Sequence, residues 1–269
     1  MKHFRRVFAK INLNAILSNM EQMEKNLKPG TKMLAVVKTD GYGHGSVPVA
    51  KLLQNKSYMF GFGVATVDEA IDLRNAGITL PILILGYTFP DGYDDLAKEE
   101  IRPALFREDN LDLLSEAAIR NKRNIKVHIK VDTGMGRVGI KPDDSGVDFV
   151  KKTLATKGLE IEGIFTHFAR ADETDKSSAN EQLTIFKEFV KRIEDELQIS
   201  IPIKHCSNSA GIMDLPQANM DLVRAGITLY GLLPSREVDV ASVALKPALS
   251  LHSHVVYVKT LKPGQTVSY

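Results

Sequence analysis

Short apolar runs alternate with amphipathic helical segments along most of this 269-residue chain. The runs are hydrophobic at consecutive positions, as expected of strands covered on both faces, and strand–helix alternation implies an α/β fold with a parallel sheet. About eight such units in roughly 235 residues match the length of a (β/α)8 barrel of the TIM type. An open doubly wound sheet is the alternative that this count leaves open. The predicted strands are 8–13, 33–37, 59–65, 81–85, 102–106, 127–131, 161–168, 203–206 and 227–229.

Two helices are marked clearly. One apolar stripe at steps of three and four predicts a helix over about 180–198. Its members are Leu183, Phe186, Val190, Ile193 and Leu197. A second helix is predicted to begin at the capping-box pair Thr66 and Glu69 and to close at Gly77.

The alternation of strands and helices stops after Pro247. The segments LSLHSHVVYVKTL and QTVSY read as strands on either side of the turn Lys262-Pro263-Gly264, with no helix between them. We therefore predict a barrel domain over 1–246 and the first strands of a C-terminal all-β domain over 247–269. Because a few strands cannot close their own core, we expect the rest of that domain to be missing.

Composition excludes several classes of protein. The 35 basic and 33 acidic residues give a formal charge of +2 without a long basic stripe, so nucleic acid is not an expected partner. No apolar run approaches the ~20 residues of a membrane span, and the N-terminus lacks a signal-peptide core, so a cytoplasmic location is expected. The single cysteine, Cys206, agrees with a reducing compartment and is interpreted as a small core residue.

The segment AVVKTDGYGHG places Lys38 at the C-terminal end of a buried strand, directly before a glycine-rich turn. In a (β/α)8 barrel this end carries the active site. A lysine amine can form a Schiff base with a carbonyl group. An isolated V-V-K is more typical of a surface lysine, but the GYGHG that follows makes the pattern far more specific.

VVK followed by YGHG resembles the pyridoxal-phosphate (PLP) signature of alanine racemases. The resemblance implies that Lys38 binds PLP covalently and that Tyr42 hydrogen-bonds the cofactor phosphate. Later segments fall in the family's order and extend the resemblance over essentially the whole chain. They are KVDTGMGRVG at 130–139, THFA at 166–169, NSAG at 208–211, RAGI at 224–227 and GQTVSY at 264–269.

These motifs imply roles for residues around the cofactor. Arg137 would approach the cofactor's phenolic oxygen and the substrate carboxylate, a task that suits a planar guanidinium. Lys130 would be carbamylated and brace that arginine; an ordinary lysine paired with a neighbouring carboxylate is the alternative. His167 would lie against the cofactor ring, although a lone strand histidine is more often a core residue.

The last two barrel motifs imply a phosphate site and a ring contact. Ser209 and the backbone N–H groups of Gly226 and Ile227 would surround the phosphate. Arg224 would face the pyridine nitrogen and leave it unprotonated, because arginine does not readily give up its proton. That arrangement favours return of the α-proton over transamination and decarboxylation.

Tyr269 would enter the active site of the other subunit of a homodimer and face the substrate α-carbon opposite Lys38. The resemblance thus implies racemisation of L- and D-alanine by two bases, supplying D-alanine for bacterial cell-wall synthesis. Two alternatives stay open: a related PLP racemase or decarboxylase for another amino acid, and a barrel-type PLP-binding protein without turnover. The missing C-terminal part makes binding with little turnover a distinct possibility for this chain.

Overall fold

Eight parallel strands form the centre of the computed structural model, which describes residues 6–269. With the two strands of a second sheet, the first and the last of the chain, the described residues contain ten strands. They are β1 Val7–Ile11, β2 Lys32–Val36, β3 Met59–Val64, β4 Ile82–Ile84, β5 Ile101–Leu105, β6 Ile125–Lys130, β7 Leu159–Phe165, β8 Ile203–His205, β9 Leu222–Ala225 and β10 Leu249–Ser253. The hydrogen-bonded order in the large sheet is β8-β7-β6-β5-β4-β3-β2-β9.

Helices follow most of these strands and cover the outside of the sheet. They are α1 Leu13–Glu24, α2 Lys38–Gly43, α3 Ser46–Leu53, α4 Val67–Asn75, α5 Tyr93–Lys98, α6 Leu111–Asn121, α7 Asp144–Ala155, α8 Ser177–Leu197 and α9 Ser209–Asp214. Short 3₁₀ segments lie at Pro90–Gly92, Glu108–Asn110, Pro216–Ala218 and Ile227–Tyr230. Within residues 6–269 no helix is long and apolar enough to cross a membrane.

The sheet curves until its two outer strands, β8 and β9, meet. Asp221 N donates to Lys204 O at 3.2 Å, and Arg224 N donates to Ser207 O at 3.0 Å. These bonds bring the last strand beside the first in the hydrogen-bonded order. The predicted TIM-type barrel is therefore confirmed, and the open doubly wound alternative is wrong.

Two predicted strands were placed wrongly. The segment predicted at 8–13 lies outside the barrel, because β1 pairs antiparallel with β10. The barrel strand nearest the predicted 227–229 is β9, while Ile227–Tyr230 is a 3₁₀ turn in which Leu229 N donates to Gly226 O at 3.0 Å. The buried Arg224 interrupts the apolar pattern of β9 and hides that short strand from a hydropathy reading.

The second sheet joins the two ends of the described chain. Its strands β1 and β10 run from Val7 paired with Ser253 to Ile11 paired with Leu249. The sheet therefore includes residues from before the predicted boundary at 247, which itself stays a prediction. The predicted turn is present, with Gln265 N donating to Lys262 O at 3.1 Å, but residues 254–269 form no strand because no partner strand lies beside them within residues 6–269.

Both predicted helices are present. Helix α8 buries the predicted stripe from Leu183 to Ile193 against the barrel. Helix α4 begins after Thr66 and is followed by Gly77 at φ +86°. Cys206 is fully buried, as predicted, and burial raises the pKa of its thiol to about 12.

The barrel interior has an apolar and a polar side. Leu34, Leu83 and Leu222 form a small apolar cluster on one side. Strand β6 supplies His128 and Lys130 to the other side, two residues apart on the same face of the strand. A buried imidazole and a buried amine therefore lie on this side of the barrel, toward the C-terminal end of β6.

Candidate active site

A cavity of about 530 Å³ opens at the C-terminal ends of the barrel strands. It brings together nine of the ten predicted site residues: Lys38, Tyr42, Lys130, Arg137, His167, Ser209, Arg224, Gly226 and Ile227. The tenth, Tyr269, does not line it and is fully exposed in the segment after β10. Among the described residues no group of three or more metal-ligating side chains is placed to hold a metal ion.

A left-handed turn presents Lys38 to this cavity. Strand β2 ends at Val36, and the residues after Lys38 adopt positive φ values. These are 53° at Thr39, 50° at Asp40, 62° at Gly41 and 53° at Tyr42. Each non-glycine residue in this region costs about 1–2 kcal/mol, so neighbouring contacts must hold the turn in place.

Several hydrogen bonds hold the left-handed turn. Asp40 Oδ1 accepts from Ser46 N at 2.8 Å, and Gly41 N donates to Val37 O at 2.8 Å. Tyr230 packs on His44, with ring centroids 4.4 Å apart, and donates its hydroxyl to Val36 O at 2.9 Å. The turn is thus tied both to the strand before it and to the helix after it.

Glu69 is a residue of the site that the sequence analysis assigned only to a helix cap. Its carboxylate accepts from Thr39 N and from Ala65 N, each at 2.7 Å. The predicted capping box is therefore half formed: Thr66 Oγ1 accepts from Glu69 N at 3.3 Å, but the carboxylate joins the ends of β2 and β3 instead of returning to the cap. Glu69 fixes the backbone next to Lys38.

Where β9 ends, the hydroxyl groups of Tyr42 and Ser209 form with Gly226 a cradle of a size and polarity suited to an anion. Ser209 Oγ accepts from Gly226 N at 3.0 Å, and a Cβ placed on Gly226 would lie 3.4 Å from that oxygen and 3.7 Å from the Tyr42 hydroxyl. A side chain at position 226 would thus fill the space between the two hydroxyl groups. Burial raises the pKa of Tyr42, which keeps its hydroxyl protonated as a donor.

Arg224 is buried without a carboxylate partner among the described residues. Its Nη2 donates to Thr166 O and Cys206 O, both at 2.8 Å, and its Nη1 donates to His205 Nδ1 at 2.9 Å and to His205 O at 3.2 Å. Of its five N–H donors, only that on Nε has no partner within residues 6–269, and Arg224 lines the cavity. Burial lowers the pKa of Arg224 to about 10, so it stays charged at neutral pH.

His167 lies beside Arg224, with Nδ1 3.3 Å from Arg224 Nη2. Both Nη2 hydrogens already go to Thr166 O and Cys206 O, so Nδ1 shares one of them. Because an arginine only donates, a proton on Nδ1 would face a donor, and the ring therefore carries its proton on Nε2. Burial and the nearby cations, Arg224 first among them, lower the pKa of His167 to about 2. The ring is therefore neutral against the cavity.

Lys130 is buried and donates from Nζ to Val131 O at 2.8 Å. It forms no ion pair with any carboxylate in the described part of the chain, so the alternative of a lysine paired with a neighbouring carboxylate is wrong. Burial, and then the charge of Arg224, lower the pKa of Lys130 to about 7. Much of its amine is uncharged at neutral pH.

Arg137 projects from a tight loop after β6. Asp132 Oδ1 accepts from Gly134 N at 3.1 Å and Gly136 N at 3.0 Å, which closes this loop. Gly139 has φ +138°, and a Cβ there would lie 2.5 Å from Asp132 N. The exposed Arg137 side chain has no hydrogen bond to another described residue, which leaves its guanidinium free for an anionic ligand.

Gln182 is a second residue that the sequence analysis missed. Its amide accepts from Ala169 N at 2.9 Å and donates to His167 O at 3.2 Å, which holds the strand end that carries His167. The signal was a buried polar residue beside Leu183 on the apolar face of α8. A polar side chain on such a face needs a partner inside the protein.

Comparison with known proteins matches residues 11–234 to the family described as alanine racemase, N-terminal domain. The alanine racemase of Desulforamulus reducens is 42% identical over 263 residues, which are 98% of this chain and 70% of that protein. That of Halothermothrix orenii is 43% identical over 265 residues, covering 98% of this chain and 69% of the relative.

The chain belongs to the alanine racemase family.

Solved structures of alanine racemases share the fold. The Clostridium difficile 630 enzyme in complex with cycloserine superposes with a TM-score of 0.92 at 38% identity, covering 96% of this chain and 71% of that one. The Bacillus anthracis enzyme with bound L-Ala-P gives 0.89 at 33% identity, over 100% and 69% of the two chains. The predicted enzyme class, an amino-acid racemase among the isomerases, is confirmed.

Proposed function

We propose that this chain binds pyridoxal 5'-phosphate and interconverts L- and D-alanine with two bases, Lys38 and the Tyr269 of a partner chain in a homodimer. The observation that carries the proposal is the joint lining of one cavity by the Lys38 side chain, an anion cradle and a buried arginine with a free donor. These three features match the aldehyde, the phosphate and the ring nitrogen of that cofactor.

The residues present fit the cofactor. The hydroxyls of Tyr42 and Ser209, with the backbone N–H groups of Gly226 and Ile227, would hold the phosphate, and Lys38 would hold the aldehyde carbon covalently. The Gly226 N–H would exchange its bond to Ser209 Oγ for one to the phosphate. His167, neutral and held beside Arg224, would lie against the ring. When bound, PLP acts as an electron sink that makes the substrate's α-proton easier to remove.

A racemase needs a proton donor or acceptor on each face of the α-carbon, because one base on one face returns the proton with retention. Lys38 would exchange the proton on the D-alanine side. Tyr269 is exposed on its own chain and does not line its own cavity, so it is available to a partner's cavity on the L-alanine side. Dimerisation would then complete the site.

Arg224 sets the type of reaction. A carboxylate at the ring nitrogen would keep that nitrogen protonated, whereas the Arg224 Nε–H would donate a hydrogen bond without transferring its proton. The weaker electron sink disfavours decarboxylation and transamination and leaves return of the α-proton as the main outcome. This observation favours a racemase over a decarboxylase for another amino acid.

Lys130 is poised for carbamylation. Its uncharged amine can attack carbon dioxide to form a carbamate with release of one proton, and the product's negative charge would offer the free Arg137 guanidinium a partner. Arg137 would then be braced to receive the substrate carboxylate. Serine differs from alanine by one hydroxyl, and a pocket of this kind discriminates against an added hydroxyl by only about a hundredfold.

A second candidate, PLP binding with little turnover, is favoured by one observation. Residues 254–269, which include Tyr269, pair with no strand within residues 6–269 and are exposed throughout. A mobile second base would lower turnover without affecting the cofactor site. For the complete activity we propose a role in bacterial cytoplasmic D-alanine supply to the cell wall.

Reduction by borohydride tests both candidates. After incubation with PLP and reduction, the peptide that contains Lys38 should carry the cofactor's mass, and the protein should convert L-alanine to the racemate. Lys38→Ala should abolish the labelling, while Lys32→Ala, at the other end of β2, should not, since the Lys32 side chain donates to Ser57 O and does not line the cavity. Retention of reducible PLP by Lys38→Ala would overturn the proposal, and labelling without racemisation would support the second candidate.

A further inference from the structure

A chain of hydrogen bonds leads from Arg224 through the barrel interior to a carboxylate. Arg224 Nη1 lies 2.9 Å from His205 Nδ1, and His205 Nε2 lies 2.9 Å from His128 Nδ1. His128 Nε2 lies 3.2 Å from Glu162 Oε2. Both histidine rings are fully buried.

The chemistry of its two ends determines the direction of this chain. Arginine only donates, so His205 Nδ1 accepts and the proton of His205 is on Nε2. His205 therefore donates to His128 Nδ1, and His128 donates from Nε2 to the carboxylate, which only accepts. A second proton on either ring would set two donors against each other, so both imidazoles are neutral Nε2–H tautomers.

The electrostatics agree with this assignment. Burial, and then the charge of Arg224, lower the pKa of His205 well below its usual value, and burial lowers that of His128. Burial raises the pKa of Glu162, but the hydrogen bonds from His128 and Arg102 outweigh it and leave the pKa far below its usual value. Glu162 is thus the negative end of the chain.

The backbone of β7 is built to place Glu162 and His128 together. The register of β6 and β7 shifts after Val127, which pairs with Ile161, so that His128 pairs with Gly163 and Glu162 is the extra residue of a bulge. Bulges of this kind redirect a side chain. A Cβ on Gly163 would lie 2.5 Å from His128 Nδ1, so the absence of a side chain there makes room for the bonded ring.

Two cations would reverse the direction of hydrogen-bond donation between His128 and His205 if Glu162 were absent. Arg102 Nε donates to Glu162 Oε2 at 3.1 Å, and Lys126 Nζ lies 3.2 Å from Glu162 Oε1. Without the carboxylate these donors would favour an unprotonated, accepting Nε2 on His128. The proton of the neutral ring would then be on Nδ1. His205 would then carry its proton on Nδ1, directly against Arg224.

We infer that Glu162 is a positioning residue for Arg224, which it orients through the neutral pair His128 and His205 so that the Arg224 Nε–H is left for the cofactor. The inference rests on the proposed PLP function for the identity of that ligand. The arrangement also places the counter-charge of Arg224 two imidazole rings away from the cavity. The guanidinium would therefore meet the ring nitrogen of bound PLP without a carboxylate beside it.

The first test uses the protein without cofactor. Nitrogen-15 NMR of the histidine rings should show His128 and His205 as neutral Nε2–H tautomers that do not titrate between about pH 6 and 8. Glu162→Leu should move His128 toward the Nδ1–H tautomer, whereas Glu162→Gln, whose amide oxygen can still accept, should restore the wild-type signals. The control is Glu160→Leu, on the same strand, since Glu160 contacts Lys126 but neither histidine.

The second test measures PLP affinity in the same four proteins. Glu162→Leu should weaken binding about tenfold, Glu162→Gln less than about threefold, and Glu160→Leu should match wild type. A protonated or Nδ1–H histidine in the wild type, or equal PLP affinity in Glu162→Leu and wild type, would overturn the inference. If no protein binds PLP, the proposed function fails, while the tautomer measurement still tests the hydrogen-bond chain.

Discussion

Replacing Glu69 with glutamine tests whether the left-handed turn at Lys38 is held in place by the Glu69 carboxylate on the neighbouring helix α4. The carboxylate uses its two oxygens for two backbone donors, Thr39 N and Ala65 N, at 2.7 Å each. A glutamine has one amide oxygen, so one of these N–H groups would face an NH2 donor. The turn would lose a contact on the residue directly after Lys38.

The size of the effect follows from these bonds. A hydrogen bond to a charged group contributes about 1.5–3 kcal/mol, and because Glu69 is partly solvated we expect a loss near the lower limit, about 1.5 kcal/mol. For a chain of this size that lowers the melting temperature by roughly 3–6 °C. Freed from Glu69, the strained backbone at Thr39 can relax and displace Lys38, so PLP affinity should fall about three- to tenfold.

The control for this experiment is Asp68→Asn. Asp68 is exposed in the same first turn of α4, so the change removes an equal charge from the helix N-terminus, which accounts for about 0.3–1 kcal/mol, without touching either backbone bond. Thermal unfolding and PLP titration monitored by absorbance measure both variants. Equal melting temperatures and equal PLP affinities for Glu69→Gln and Asp68→Asn would refute the role of Glu69 as a clamp.

Three further changes probe other parts of the site. Lys130 has a folded pKa of about 7, so between about pH 7 and 10.5 it binds fewer protons in the folded protein than in the unfolded chain. Stability should therefore rise with pH across this window, by at most about 1.4 kcal/mol per pH unit. Lys130→Met should flatten this slope in melting experiments, and an unchanged slope would contradict the assignment. Gly226→Ala places a methyl group 3.4 Å from Ser209 Oγ and should weaken PLP binding at least about tenfold, which unaltered titration curves would disprove. Gly139→Ala combines φ +138° with a 2.5 Å approach to Asp132 N and should destabilise the protein by about 2–4 kcal/mol in denaturant unfolding; a loss below 1 kcal/mol would show that the loop can adjust.

The sequence predicted the barrel and most of its cavity because the informative motifs lie at strand ends. In a (β/α)8 barrel all C-terminal strand ends meet at one face, so Lys38, His167 and Arg224 could be placed together without knowledge of their distances. The same reasoning could not place β9, since the buried Arg224 removes the hydrophobic signature of that short strand.

The contacts that hold the site could not be predicted in this way. His128 and His205 are 77 residues apart, and a single polar residue in an apolar strand does not reveal which side chain it meets across the barrel. Glu69 matched a local capping pattern whose geometry differs in the structure because Thr39 N competes for its carboxylate. Pairing between distant strands, rather than local spacing, decides these positions.

The pairing of β1 with β10 has a consequence for the order of folding. The contact between Arg6 O and His254 Nδ1, at 3.2 Å beside this sheet, spans 248 residues. Closing so long a loop costs conformational entropy before any contact is gained, so the barrel between the two strands should form first and bring them together. During synthesis β1 is made before every barrel strand and stays without its partner until all eight barrel strands have been translated. Its backbone donors are exposed to chaperones or to other unpaired strands in that interval.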